Sequence, residues 1–246
     1  MMKKNYRAVL QYEGTRYQGW QKQISTDNTI QGKLENLLTK MAGENVEVNS
    51  SGRTDAGVHA YGQVISFACD INKSPEEIRD YMNQYLPEDI GVLSVVVAGE
   101  RFHARLNAKT KTYMYRVWNS EQPCVFERKY VHVDPRTLDV NAMQTAATFF
   151  LGEHDFLAFC SNKSKNKSTV RYISFFGVER VGNEVVFTIT GNGFLHHMVR
   201  IIVGTLLEIG RGERMVESVP VLFSAKREES GEMVPSCGLC LMEVTY

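Results

Sequence analysis

At 246 residues the chain can form one large domain or two smaller ones, against about 150 residues per domain, and it is long enough to bury a core. Its 28 Lys plus Arg balance 28 Asp plus Glu, so attraction to nucleic acid or anionic lipid has to come from local patches, which excludes a polybasic mode of binding. With 43% hydrophobic and 23% charged residues, 19 Gly and 6 Pro, the composition excludes disordered, fibrous and low-complexity classes.

In chain order, residues 5–12 read as a strand. Thr29 to Met41 reads as a helix, with Ile30, Leu34, Leu37, Leu38 and Met41 at helical spacing, and residues 63–68 as a strand. A helix over 74–85 is announced by Ser74 at the N-cap, Pro75 at the first helical position and Glu77 closing a capping box. A strand over 91–98 follows. The second half runs from a strand over 112–118 to a helix over 140–151 after an Asp139 cap, then to strands over 172–180 and 185–191. It closes with a helix over 197–209, a short helix near 215–223 and a strand over 238–246. The strands alternate apolar and polar residues and lack long, uniformly apolar runs, which predicts an α+β fold with antiparallel pairing. The two halves show a similar element order, and the division falls at 1–105 and 106–246.

Five cysteines, Cys69, Cys124, Cys160, Cys237 and Cys240, are an odd and scattered set, unlike a disulfide framework, and predict a reducing compartment. No apolar run suits a signal peptide or a membrane span, so a cytoplasmic protein with no membrane association is expected.

The densest chemistry lies in Ser51-Gly52-Arg53-Thr54-Asp55-Ala56-Gly57-Val58-His59-Ala60. Glycines on both sides permit positive φ and close approach, so Asp55 can be presented at a loop tip. Turn statistics alone favour an ordinary Asp-Ala-Gly turn between strands, and the spacing names no reaction.

The segment from Gly52 to Ala60 resembles the signature of the TruA family of tRNA pseudouridine synthases. Further segments resemble that family in order: residues 11–23, the helix start Thr29-Ile30-Gln31-Gly32, Phe102-His103-Ala104-Arg105 with Lys111-Thr112-Tyr113-Met114-Tyr115-Arg116, Gly152-Glu153-His154-Asp155-Phe156, and residues 193–204. The resemblance implies two RRM-like halves forming one extended, mostly antiparallel sheet, with helices on one face and an active-site cleft at the centre. It implies conversion of uridine to pseudouridine at positions 38, 39 and 40 of the tRNA anticodon stem-loop, by a homodimer. A paralogue acting on another RNA uridine and a non-catalytic RNA-binding module are the alternatives.

Residue by residue, the resemblance implies catalytic roles for Asp55, Tyr113 and Arg200. Arg53, Tyr113, His59, Lys109 and Lys111 would contact the substrate. Isomerisation breaks N1–C1′ and joins C5 to C1′ without net redox change, so it calls for no cofactor. Asp55 must act ionised, as a nucleophile on sugar or base or as a base at C2′, and these alternatives stay open. Arg200, amid Phe194, Leu195, Met198, Val199, Ile201 and Ile202, would be costly as a solitary buried charge, which favours a paired Arg over an exposed one. Tyr113, Tyr115 and Val117 share a strand face, and the expectation is a functional Tyr113 and a structural Tyr115.

Basic residues gather at Lys109, Lys111 and Arg116, at Lys163, Lys165, Lys167 and Arg171, and at Arg211 and Arg214. They suggest an RNA-facing surface, with a solvated loop as the alternative for the lysine run. His196-His197 is not expected to hold a metal, since adjacent side chains diverge and no third ligand follows at metal spacing. Cys237-Gly238-Leu239-Cys240 stands alone as a CxxC in a strand-like segment, where the resemblance implies that Cys240 replaces a packing aromatic of the family's strand.

Overall fold

The computed structural model describes residues 3–161 and 168–246, so the run Lys163, Lys165 and Lys167 lies outside the described residues. The architecture is α+β, as the alternating pattern predicts. The chain divides into two compact units, Met1–Lys109 with Leu241–Tyr246, and Thr110–Cys240. Among the described residues no helix is long and apolar enough to cross a membrane.

The first unit contains β1 (Lys4–Tyr12), α1 (Ile30–Ala42), β2 (Asn49–Ser50), β3 (His59–Cys69), α2 (Pro75–Tyr85) and β4 (Ile90–Val97). Most of the last strand, β10 (Leu239–Thr245), also belongs to it. The strand order is β4-β1-β3-β10, with β2 on β3. β1 is antiparallel to both β3 and β4, pairing Ala8 with Ile65 on one side and with Val95 on the other. Tyr6, Ala8, Leu10 and Tyr12 alternate inward along β1 and are buried. With Ile65 and Phe67 of β3, Leu34 and Leu38 of α1, and Ile78 and Met82 of α2, they supply much of this unit's core. Tyr6 stacks on Phe67 at 5.4 Å. The capping box of α2 forms as expected, with Glu77 N–H donating to Ser74 Oγ and Ser74 N–H to Glu77.

The second unit contains β5 (Thr110–Trp118), β6 (His132–Val133), α3 (Val140–Thr148), β7 (Gly152–Asp155), β8 (Val170–Val181), β9 (Glu184–Gly191), α4 (Met198–Gly210) and the one-turn α5 (Val219–Leu222). Its strands run in the order β5-β9-β8-β7, all antiparallel, with β6 parallel to β5. α4 is buried almost all round, from Met198 to Gly210 apart from Glu208. That burial follows from its nearly unbroken apolar sequence.

Several features differ from the sequence pattern, two of them in where a unit and a helix end. The last strand, read there as part of the second half, contributes Leu241–Tyr246 to the first unit, because strand pairing ignores separation along the chain. The helix expected over 140–151 ends at Thr148, where tighter bonds from Phe149 to Ala146 and Phe150 to Ala147 close it and Gly152 takes φ +93°.

Candidate active site

Asp55 sits in the segment between β2 and β3, partly exposed, with Thr54 buried behind it and Arg53 exposed ahead. Val58 N–H donates to Asp55 C=O at 3.2 Å, closing a turn whose third residue, Gly57, has φ +79°. That position demands positive φ, so Gly57 has the role expected of it. Gly52 does not take positive φ. Its carbonyl is instead fixed by Gln63 Nε2 at 2.9 Å.

The loop is gripped from residues 14–20. Trp20 N–H donates to Thr54 C=O at 2.9 Å, and Thr54 Oγ1 shares a 2.8 Å hydrogen bond with Tyr12 OH. Gly19, at φ +87°, approaches so closely that a Cβ there would lie 3.0 Å from Thr54 O and 3.1 Å from Ala56 N. Beneath, the fully buried Gln63 accepts from Ser51 Oγ at 2.7 Å and reaches Tyr12 OH at 3.3 Å. A satisfied buried network of this kind holds one arrangement firmly. Sequence reasoning missed Gln63 and Tyr12; the available signal was a glutamine starting an otherwise apolar run.

His59 is 4% exposed, and its Nδ1 accepts Gly14 N–H at 3.0 Å, which places the ring proton on Nε2. The ring is inside the loop's base and supports the Asp55 turn. Lys109 is exposed and its backbone N–H bonds Thr245.

In the second unit, Tyr113 lies on β5 opposite Ile189, 7% exposed, and Phe194 meets its ring edge-on at 5.0 Å and 83°. Tyr115 and Val117 follow on the same buried face. Lys111 is half-buried on the same strand. Arg200, 9% exposed in the first turn of α4, donates from Nε to Val234 C=O at 2.7 Å, and Val234 N–H returns to Arg200 C=O at 3.4 Å. Arg200 is buried, as its apolar neighbours in the sequence suggest. The helix enters through His197, which has φ +64°, uncommon outside glycine and a recurrent mark of functional segments. The two histidines do not diverge as expected: their rings stack at 3.6 Å, and His197 Nδ1 lies 2.9 Å from Ser161 Oγ.

Several expected basic contacts are engaged within the protein. Arg116 makes a two-pronged bond to Glu184, both arms at 2.7 Å, and a third to Glu127 at 2.9 Å, which holds its pKa above the ordinary arginine value. Arg211 pairs with Asp134 and Glu213, and Arg214 with Glu208. Arg171 is tied to the carbonyls of Ser168 and Val170. None of the five cysteines forms a disulfide; Cys240 is buried and Cys237 Sγ lies 3.3 Å from Val131 O.

The first unit thus presents a carboxylate on a held turn, and the second holds a tyrosine ring and a buried arginine. Residues 8–107 and 146–246 match the family model described as tRNA pseudouridine synthase. A protein of Bacillus anthracis named tRNA pseudouridine synthase A 2 is 43% identical over 244 residues, covering 98% of this chain and 99% of that one. One of Clostridium tetani, named tRNA pseudouridine synthase A 1, is 42% identical over 244 residues, covering 99% and 100%. The chain belongs to the TruA family of tRNA pseudouridine synthases, isomerases that convert uridine to pseudouridine in tRNA.

Proposed function

We propose that this enzyme acts on uridines 38, 39 and 40 of the tRNA anticodon stem-loop, with Asp55, Tyr113 and Arg200 as catalytic residues. The observation that carries the assignment is the Asp55 turn, held by Gly57, Gly19 and the Gln63 network inside a segment that matches the family. In the reaction N1–C1′ breaks, the freed uracil turns, C5 joins C1′, the C5 proton leaves and N1 is protonated, so composition is unchanged. Asp55 serves as nucleophile on sugar or base, or as base at C2′. Tyr113, its ring fixed by Phe194, stacks on the detached uracil and relays the C5 proton.

Arg200 acts in concert with Asp55, its planar fork being suited to a carboxylate. Reaching a base in a helical stem requires extruding the nucleotide at a cost of a few kcal/mol, and Arg53, exposed two residues before Asp55, props the gap. Lys109 and Lys111 meet phosphates. The enzyme works in the cytoplasm as a homodimer, a reading supported by the family resemblance and checked by native mass in solution.

The decisive experiment maps pseudouridine in tRNA from cells lacking the gene and from cells carrying Asp55→Asn. Loss at 38–40 in both supports the proposal. Loss at another uridine or in another RNA assigns the chain as a paralogue, and modification persisting with purified Asp55→Asn removes Asp55 from the chemistry.

A further inference from the structure

The segment from Ser230 to Gly238 forms a strap across α4. Gly231 N–H donates to Thr205 Oγ1 at 2.9 Å, and Thr205 Oγ1 donates to Ile201 C=O at 2.9 Å. The approach is at backbone contact: a Cβ on Gly204 would lie 1.8 Å from Glu232 O, and one on Gly231 would lie 2.5 Å from Thr205 N. The strap then reaches Val234, whose carbonyl takes the Arg200 Nε–H and whose N–H returns to the Arg200 carbonyl. The next carbonyl, that of Pro235, accepts the Tyr115 hydroxyl at 2.8 Å.

We propose that Tyr115 is a positioning residue for the isomerisation, fixing the Pro235 and Val234 carbonyls and through them the orientation of the Arg200 guanidinium. The inference rests on the assignment of Arg200 to catalysis made above. Tyr115 is fully buried, and only its terminal oxygen has polar work to do. Pro235 has no N–H and a φ of −53°, so its peptide is stiff and a hold on its carbonyl is transmitted to the preceding residue. Burial, seconded by Cys237, holds the phenol's pKa above its ordinary value, so the hydroxyl remains a donor; the nearby Arg200 charge opposes this without reversing it. Gly238 completes the device. A Cβ there would lie 2.7 Å from Tyr115 Cζ and 2.8 Å from the Arg116 carbonyl, so only glycine lets the ring reach Pro235. The CxxC segment thus contributes its glycine to the site.

Tyr115→Phe deletes one oxygen and keeps the ring, so the fold survives. The variant is expected to lose roughly tenfold to a hundredfold in single-turnover rate, as misplacements of about 1 Å do, with tRNA affinity unchanged. Hydrogen exchange at the Arg200 Nε–H, followed by NMR on the intact chain, is expected to accelerate in the same variant. Gly238→Ala should reproduce both effects with the hydroxyl still present. The rate loss should vanish when Tyr115→Phe is made on Arg200→Lys, because the fork it aligns is gone. An equal loss on both backgrounds, or unaltered Arg200 exchange, would show that Tyr115 merely packs and overturn the inference alone. An Arg200→Lys enzyme with wild-type rate would overturn the assignment of Arg200 itself, and the inference with it.

Discussion

Two glycines outside the Asp55 turn shape it as firmly as Gly57 does from within. A Cβ on Gly14 would stand 2.0 Å from the Val58 carbonyl, closer than any relaxation of a side chain could relieve, since the obstacle is backbone. Gly14→Ala should therefore push Val58 outward, strain the Gly14 N–H bond to His59 and lower turnover, at an overpacking cost of about 1–3 kcal/mol. The check is to compare rate and thermal midpoint. A midpoint shift with normal single-turnover rate would show that the turn tolerates displacement. Gly57→Ala, at φ +79°, should cost about 1–2 kcal/mol, read in the denaturant midpoint at constant slope. Gly57 was legible because it brackets the aspartate in sequence. The supports from Gly14, Gly19 and His59 were not, because a contact across some 40 residues leaves no local pattern.

Elements whose limits are set by local chemistry were the readable ones. Ser74, Pro75 and Glu77 declare the start of α2 regardless of tertiary context, and Ser74→Ala should lower stability by about 1 kcal/mol, seen as a fall of about 2–4 °C in the thermal midpoint. β7 escaped notice because Gly152-Glu153-His154-Asp155 has no strand propensity of its own and is extended only by pairing with β8. β6 escaped for a similar reason, being two residues held against Val117 and Trp118. This short strand carries a pH dependence. Burial holds His132 below its ordinary value of 6.5, with Asp134 opposing and Arg136 and Arg211 assisting. A histidine that resists protonation when folded leaves the unfolded chain binding more protons at low pH. Its contribution is therefore complete above about pH 6.5 and falls as pH drops below it. Melting between pH 8 and 5 should show that decline, and His132→Asn should flatten it. Asp134, 1% exposed, runs in the same direction further down: burial opposes its charge, but hydrogen bonds from Arg136 and the Arg211 charge hold it below 3.8, so those ion pairs persist until pH falls beneath that value.

At the scale of the whole molecule, the balance of 28 basic and 28 acidic residues sets how RNA can be held. The α+β class was legible from alternation, because period-two and helical patterns are written residue by residue. The return of β10 to the first unit was not, and neither was the fate of the arginines, since a basic side chain in sequence carries no mark of its partner. Arg116, Arg211 and Arg214 all turn out to face carboxylates of their own unit, so their charge is already neutralised before any phosphate arrives. Arg53 and Lys109 are exposed and have no ion pair among the described residues. Each phosphate neutralised by a protein cation releases counterions and contributes about 0.7–0.9 to the slope of log affinity against log salt. Arg53→Gln and Lys109→Gln should each reduce that slope by about this amount in tRNA titrations between low and physiological salt. Arg214→Gln should leave the slope unchanged, because Arg214 is already paired with Glu208 and no phosphate contact disappears. A slope lowered equally by Arg214→Gln would mean that the ion pair opens on RNA, and would return Arg214 to the binding surface.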